Sequence, residues 1–274
     1  MTRVAVVTGA ASGIGKAIAG SLVARGDTVV VSDLNETAAK EAAEQLSARG
    51  RGKAIGVAMD VTDEEMVVDT VRAVREEHGK LDIMVNNAGI DVTGLVEDLQ
   101  LAHWKSAIDV NVYGVIHGVH AAYPIMLEQG SGHIVNIASV ASLVNMPLLT
   151  AYNMSKHAVL GLSLSLRAEA ASRGVKVTAI CPGRTATNFT TAKGLPPIAS
   201  FERLKGKNLN LKPPKHKPEH LAEVVMKAMD KNKALVVSPR GTAFYAAILG
   251  RFKGINDWVG RDVMRQAVKR GILG

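Results

Sequence analysis

Tyr152 and Lys156 stand four residues apart in the run Tyr152-Asn153-Met154-Ser155-Lys156. Apolar positions follow at Ala158, Val159, Leu160, Leu162, Leu164 and Leu166, a pattern that suits a long buried helix. On a helix the phenol and the ammonium project from one face, one above the other. A free phenol has a pKa of about 10, and bringing it to about 7 needs roughly 4 kcal/mol of preference for the phenolate. A neighbouring cation acts in that direction. The pair therefore suggests a general acid/base, Tyr152, tuned by Lys156. The plainer alternative is a surface helix on which a lysine stem packs against a ring. The catalytic reading needs a cofactor site upstream.

Residues 3–7 (Arg-Val-Ala-Val-Val) read as a short buried strand ended by Thr8-Gly9. The turn Gly9-Ala10-Ala11-Ser12-Gly13-Ile14-Gly15 then runs into an apolar-periodic segment reaching Arg25. Strand, glycine-rich turn and helix bring backbone N–H groups and a helix N-terminus to a phosphate. The spacing is G-x-x-x-G-x-G, and it points to a dinucleotide. The next strand pattern, Thr28-Val29-Val30-Val31-Ser32, ends in Asp33, 18 residues past Gly15. That is close to the distance expected of an acid that accepts hydrogen bonds from an adenosine ribose. A carboxylate there repels a 2′-phosphate, and no Arg or Lys at Ser12 or Leu34 offsets the repulsion, which favours NAD over NADP. The alternative role for Asp33 is a cap on the helix that begins near Glu36.

Further elements alternate along the chain. Residues 53–59 form a strand candidate before Asp60-Val61-Thr62, and Asp63 to His78 an amphipathic helix. Asp82-Ile83-Met84-Val85 runs into Asn86-Asn87-Ala88-Gly89, two amides and a glycine with no packing reason to follow a buried strand. Residues 101–128 read as helical and carry Asn111 among apolar neighbours, as a kink or as part of a polar relay. His117 and His120 lack further ligands at metal spacing and are read as interface or surface residues. Strands ending at Ser139 and at Cys181-Pro182-Gly183 follow, then an irregular proline-bearing stretch to Pro218 that reads as a substrate lid over residues 188–217. A helix over Pro218–Asp230 and a last strand, Ala234-Leu235-Val236-Val237, close the alternation. Residues 242–274 read as a helical extension with candidates over Thr242–Phe252 and Asp257–Arg270. It would cap the cleft, form a subunit contact or lie on a membrane surface. Alternating strands and helices of this kind imply an α/β, doubly wound parallel sheet in one domain spanning 1–274.

Composition narrows the function classes. Residues 1–202 carry 17 basic and 20 acidic side chains, whereas residues 203–274 carry 16 and 5. The basic end reads as a solvated rim, because no aromatic–basic interleaving or recognition motif accompanies it to suggest nucleic acid. No apolar run is long enough to span a bilayer, and no secretory leader pattern opens the chain. The lone Cys181 cannot form an internal disulfide, which suits a reducing cytoplasm.

Taken in order, Thr8-Gly9-x-x-x-Gly13-x-Gly15, Asp60, Asn86-Asn87-Ala88-Gly89, Asn111, Ser139, Tyr152-x-x-x-Lys156 and Pro182-Gly183 resemble the short-chain dehydrogenase/reductase family. The resemblance implies a Rossmann-like sheet of seven parallel strands with helices on both faces. It also implies roles. Tyr152 would donate or accept the proton, Ser139 would bond the substrate oxygen, Lys156 would hold the nicotinamide ribose, and Asn111 would fix a water in a relay to Lys156. Thr8, Gly9, Ser12, Gly13, Ile14 and Gly15 would enclose the pyrophosphate, Asp33 and Leu34 the adenosine ribose, and Asp60 and Val61 the adenine. Asn87, Ala88 and Gly89 would line the cleft, with Pro182, Gly183, Thr185 and Thr187 near the nicotinamide. Thr185 departs from the Ile or Val usual in the family and makes the pocket wall more polar. The expected reaction is NAD-dependent interconversion of a secondary alcohol and a ketone by a homo-oligomer, dimer or tetramer. Leu143, Val144, Met146, Phe189 and Leu195 suggest an apolar, steroid-, terpenoid- or lipid-like substrate. Lys205, Lys207, Lys212, Lys215 and Lys217 suggest instead an NADP-linked 3-oxoacyl-thioester reductase. A non-catalytic NAD-binding scaffold is the reading from another class.

Overall fold

Five consecutive apolar or β-branched residues, Val4–Thr8, make a strand buried along its whole length, as a strand covered on both faces must be. In the computed structural model, which describes residues 2–186, 194–204, 216–239, 241 and 252–269, this strand (β1) lies inside one sheet of seven parallel strands. The others are β2 (Thr28–Asp33), β3 (Lys53–Ala58), β4 (Ile83–Asn86), β5 (Gly132–Ile137), β6 (Val175–Pro182) and β7 (Leu235–Ser238). Their spatial order is β3-β2-β1-β4-β5-β6-β7, so the direction of winding reverses between β1 and β4. Ligands of such sheets bind outside the carboxyl ends of the strands at that switch point.

Strand alternation feeds two cores. Ala5, Val7, Ile83, Val85, Val135, Ile137 and Ile180 point to one face and pack on α1 (Gly13–Ala24), α2 (Glu36–Ser47) and α8 (Pro218–Asp230). Val4, Val6, Val30, Met84, Ile134, Val175 and Val177 point to the other and meet α3 (Glu64–His78), α5 (Gly114–Gln129) and α6 (Thr150–Ala170). Each fully buried aliphatic side chain contributes roughly 1.5–3 kcal/mol, which holds the sheet rigid beneath its loops.

Helix boundaries follow the local chemistry. Asn35 caps α2 through Ala38 N–H (3.1 Å), and Asp63 caps α3 through Met66 N–H (3.0 Å). The continuous helix expected over 101–128 is three pieces: α4 (Leu101–Ile108), a π-helical turn Asp109–Tyr113, and α5. The lid stretch is not wholly irregular either, because α7 (Ala199–Leu204) lies within it. β6 runs two residues beyond Ile180, because Cys181 and Pro182 still pair with Val237 and Ser238. The last described helix, α9, spans Lys253–Lys269, and the helix candidate over residues 242–251 lies outside the described residues. Among the described residues no helix is long and apolar enough to cross a membrane.

Candidate active site

The glycine turn between β1 and α1 is built so that backbone, not side chain, faces the switch point. Gly9 and Gly13 hold left-handed φ values of 61° and 55°, which favour glycine. A Cβ on Gly9 would lie 2.8 Å from Ala88 Cα, and one on Gly15 would lie 2.4 Å from Gly9 O and 2.5 Å from Asn87 Nδ2. Thr8 Oγ1 accepts from the N–H groups of Asn87 and Ala88, both at 2.9 Å. In return Asn87 Nδ2 donates to the carbonyls of Thr8 (2.8 Å) and Gly9 (3.0 Å), so the β1 and β4 loops brace each other. Unlike α2 and α3, α1 has no side-chain cap and no acid in its first turn. Its N-terminus therefore presents open backbone donors beside a cradle that a side chain would fill, a setting that fits a dinucleotide pyrophosphate.

Asp33 stands at the carboxyl end of β2, where Oδ2 accepts from Ala11 N–H (3.2 Å) and Oδ1 from Asn35 N–H (3.2 Å). Asn35 supplies the α2 cap, so the capping alternative for Asp33 does not hold. Leu34 beside it is exposed. Asp60 Oδ1 accepts from Thr62, while buried Val61 offers its carbonyl to His117 Nδ1–H at 2.9 Å.

The reactive groups gather at the ends of β4, β5 and β6. Ser139 opens a short 3₁₀ turn, Val140–Ser142, and its Oγ accepts from Ala141 N–H (3.1 Å). The Ser139 side chain neighbours the Tyr152 phenol and favours its phenolate. Lys156 Nζ lies 5.8 Å from the Tyr152 ring centroid and donates to Ile137 O at 3.0 Å. A Cβ on Gly89 would lie 3.0 Å from Asn111 Oδ1 and 3.4 Å from Lys156 Nζ, so three predicted site residues meet at one point. The π-helical turn places Asn111 there. Its Oδ1 accepts from Ile90 N–H (2.8 Å), and its Nδ2 donates to Ile90 O (3.0 Å) and Ser155 Oγ (3.0 Å).

The electrostatics correct one expectation. Burial pushes the Tyr152 phenol up rather than down; the Ser139 side chain opposes this, and the charges of Asp91 and Cys181 add to it. Burial pushes Lys156 down to about 8. Desolvation thus outweighs the ammonium's pull on the phenolate, because the cation stands over the ring and bonds a backbone carbonyl.

Several structural partners escape a sequence reading. Ser155 Oγ donates to Tyr152 O (2.8 Å) while accepting from Asn111, and Ser142 Oγ donates to Lys156 O (2.7 Å) while accepting from Ser139 N–H (3.2 Å). The Ser139-Val140-Ala141-Ser142 spacing is the one available signal for the second pair. Pro182 ends β6, Gly183 N–H donates to Ser238 O, and Thr185 forms an isolated bridge with His216. Thr187, Phe189, Lys205, Lys207, Lys212 and Lys215 lie outside the described residues, and Lys217 is exposed. Leu143 and Val144 pack inward rather than lining an open cleft, and Met146 is exposed.

Comparison with known proteins agrees with this geometry. The family model of short chain dehydrogenase matches residues 3–196. The 2-(R)-hydroxypropyl-CoM dehydrogenase of Xanthobacter autotrophicus is 42% identical over 193 residues, covering 69% of this chain and 77% of that protein. An uncharacterised oxidoreductase of Staphylococcus aureus is 37% identical over 236 residues, covering 86% of this chain and 94% of its own. A crystal structure of a short chain dehydrogenase/reductase from Burkholderia phymatum in complex with NAD superposes with a TM-score of 0.82 at 29% identity, covering 90% of this chain and 92% of that one. With the glycine cradle, the switch point and the Ser139–Tyr152–Lys156 cluster in place, the chain belongs to the short-chain dehydrogenase/reductase family of oxidoreductases.

Proposed function

We propose that this enzyme interconverts a secondary alcohol and a ketone with NAD, using Tyr152 as the general acid/base. The observation that carries the reading is buried Lys156 set against the Tyr152 ring and meeting Gly89 and Asn111, in a fold whose α1 turn is uncapped. A bound nicotinamide dinucleotide supplies the hydride acceptor or donor. Gly9, Gly13, Ile14 and Gly15 hold its pyrophosphate through backbone N–H groups, and Asp33 receives its adenosine ribose. The absence of a cation at Ser12 and Leu34 supports NAD over NADP.

Ser139 Oγ orients the substrate oxygen. The positive charge that an oxidised nicotinamide would bring opposes the burial that raises the phenol. Tyr152 then takes the proton from the alcohol in oxidation and returns it to the developing alkoxide in reduction. Lys156, already lowered by burial, exchanges its proton at a modest cost and links Tyr152 to the Asn111 side of the site. Proton transfer of this kind is typically worth about 10²–10⁴-fold. Exposed Tyr113 at the end of the π-helical turn, Ile116 on α5 and Leu164 on α6 support assembly with a second copy. Buried, unpaired Cys181 is compatible with a reducing cytoplasm.

The test is a panel of secondary alcohols and ketones offered with NAD and with NADP, followed by absorbance of the reduced nicotinamide. Deuterium placed on the carbinol carbon is expected on the reduced dinucleotide, with NAD preferred. Label lost to solvent would overturn the hydride step, and NADP preferred would overturn the Asp33 assignment.

A further inference from the structure

Beyond Gly89 the chain enters a segment clamped from both sides. Asn111 grips the N–H and the C=O of Ile90, and Val92 is fully buried with Ala107, Ala151 and Ile198, next to Tyr152 in sequence through Ala151. Gly94 N–H donates to Leu148 O (2.8 Å), and Leu95 N–H donates to Ser200 Oγ (2.8 Å), tying the segment to the Leu148 turn and to α7. Between these fixed points stands Asp91. Its Oδ2 accepts from Thr93 Oγ1 at 2.8 Å, whereas its Oδ1 is buried and has no hydrogen-bond partner among the described residues.

A buried carboxyl oxygen left without a donor is costly, and such a group in a folded protein calls for an explanation. Burial holds the Asp91 carboxyl above the ordinary range, against the opposing pull of Thr93 and the Val92 backbone, and among the described residues no cation compensates. The same carboxyl is near enough to Tyr152 for its charge to disfavour the phenolate. A carboxyl that works against the catalytic phenol, and whose Oδ1 meets no donor among the described residues, is explained by an occupant that donates to it.

We propose that Asp91 Oδ1 accepts a hydrogen bond from a second donor on the substrate, a hydroxyl or an ammonium close to the carbinol. The enzyme thereby selects diols and amino alcohols, and the matching hydroxy- and aminoketones, over simple secondary alcohols. This rests on the oxidoreductase reading above and deepens it. An apolar body remains compatible with the rest of the site; the addition is one polar group beside the reacting carbon. Asp91 recognises substrate and takes no part in moving the hydride.

The test compares phenylpropanol, the vicinal phenylpropanediol and the amino alcohol norephedrine, with NAD-loaded enzyme. Wild type is expected to favour the donor-bearing pair by about 10²-fold in kcat/KM, since a site built for a hydrogen bond rejects an analogue lacking it. Asp91→Ala levels the preference to within about threefold, chiefly through KM, with dinucleotide affinity unchanged. Asp91→Asn, which keeps the shape and one acceptor, restores the preference for the diol but not for norephedrine. A diol preference marks a hydroxyl donor, and a larger norephedrine preference marks an ammonium. Thermal shift with reduced dinucleotide supplies a reading independent of turnover, repeated in Tyr152→Phe. Equal treatment of all three compounds by wild type, in both kcat/KM and thermal shift, would overturn the proposal. So would an equal loss toward all three in Asp91→Ala. If nothing turns over yet the diol raises the melting temperature only when Asp91 is present, the Asp91 assignment stands and the hydride-transfer reading falls.

Discussion

The half of this molecule proposed to hold dinucleotide and the half proposed to hold substrate are held together by different kinds of contact. On the β1–β4 side, the site is made of backbone. Gly9, Gly13 and Gly15 remove side chains, and Thr8 and Asn87 lock two loops through main-chain groups. On the far side, the walls are assembled by single side chains reaching between distant segments. Buried His103 accepts from Gln100 N–H (2.9 Å) and donates through Nε2 to Pro196 O (2.8 Å), and Ser200 N–H donates to Asp98 Oδ2 (2.8 Å). Ala267 and Met264 of α9 pack on Leu95 and Leu148, with Gly260 against Pro147. The first half offers a fixed cradle for one ligand. The second is a set of separable struts, each of which can change without disturbing the sheet. That arrangement leaves the walls free to differ while the sheet and the cradle stay fixed.

The difference is sharpest at Gly15. Gly15→Val would drive a branched side chain into Gly9 O and Asn87 Nδ2, and backbone on one side cannot yield. Overpacking of this sort costs about 1–3 kcal/mol in an ordinary core. Here it also displaces the α1 N-terminus, so affinity for reduced dinucleotide, read by fluorescence titration, is expected to fall by about 10²-fold or more. Unchanged affinity would remove the cradle from the dinucleotide site.

Next in size is the pH dependence of stability. Lys156 titrates at about 8 in the fold against 10.5 unfolded, so between those values the unfolded chain binds more protons and stability rises with pH. The Tyr152 phenol is raised, so above its unfolded value of 10.0 the fold retains a proton that the unfolded chain loses, and stability then falls. Denaturant titration without dinucleotide should therefore give a gain of about 2 kcal/mol between pH 8 and 10, absent in Lys156→Met. A flat profile would show that Lys156 is better solvated than its surroundings imply.

The smallest effect falls on the substrate half. His103→Leu removes the strut to Pro196 and leaves that carbonyl without the imidazole donor. Global stability is expected to change by about 1 kcal/mol or less, while KM for the alcohol rises severalfold and dinucleotide affinity holds. A loss of dinucleotide affinity would erase the distinction between the halves.

The same division explains what the sequence discloses. The seven strands, the glycine cradle and the α2 and α3 caps rest on local patterns, because β-branched runs, glycine spacing and Asn35 or Asp63 act within a few residues. Tyr152, Lys156, Ser139 and Asn111 are legible as types at set spacings, and the structure brings them to one place. Their electrostatics are not legible: the sign of the Tyr152 shift depends on burial, which no spacing reveals. On α6 the apolar pattern misleads, since Leu164 is exposed while Asn153, Ser155, Lys156 and Ser163 are buried. Polar residues are buried there because they join the site's network, a reason visible only once Asn111 and Asn136 lie opposite. His103–Pro196 and Ser200–Leu95 cross about a hundred residues of chain and leave no periodic trace.

The proposed chemistry of both halves turns on the Tyr152 hydroxyl, and replacing it alone asks whether it is the source of activity. Tyr152→Phe should bind reduced dinucleotide within about twofold of wild type, while kcat toward the best alcohol of the panel falls by about 10²–10⁴-fold. A variant that binds dinucleotide normally and keeps near-normal kcat would contradict the account.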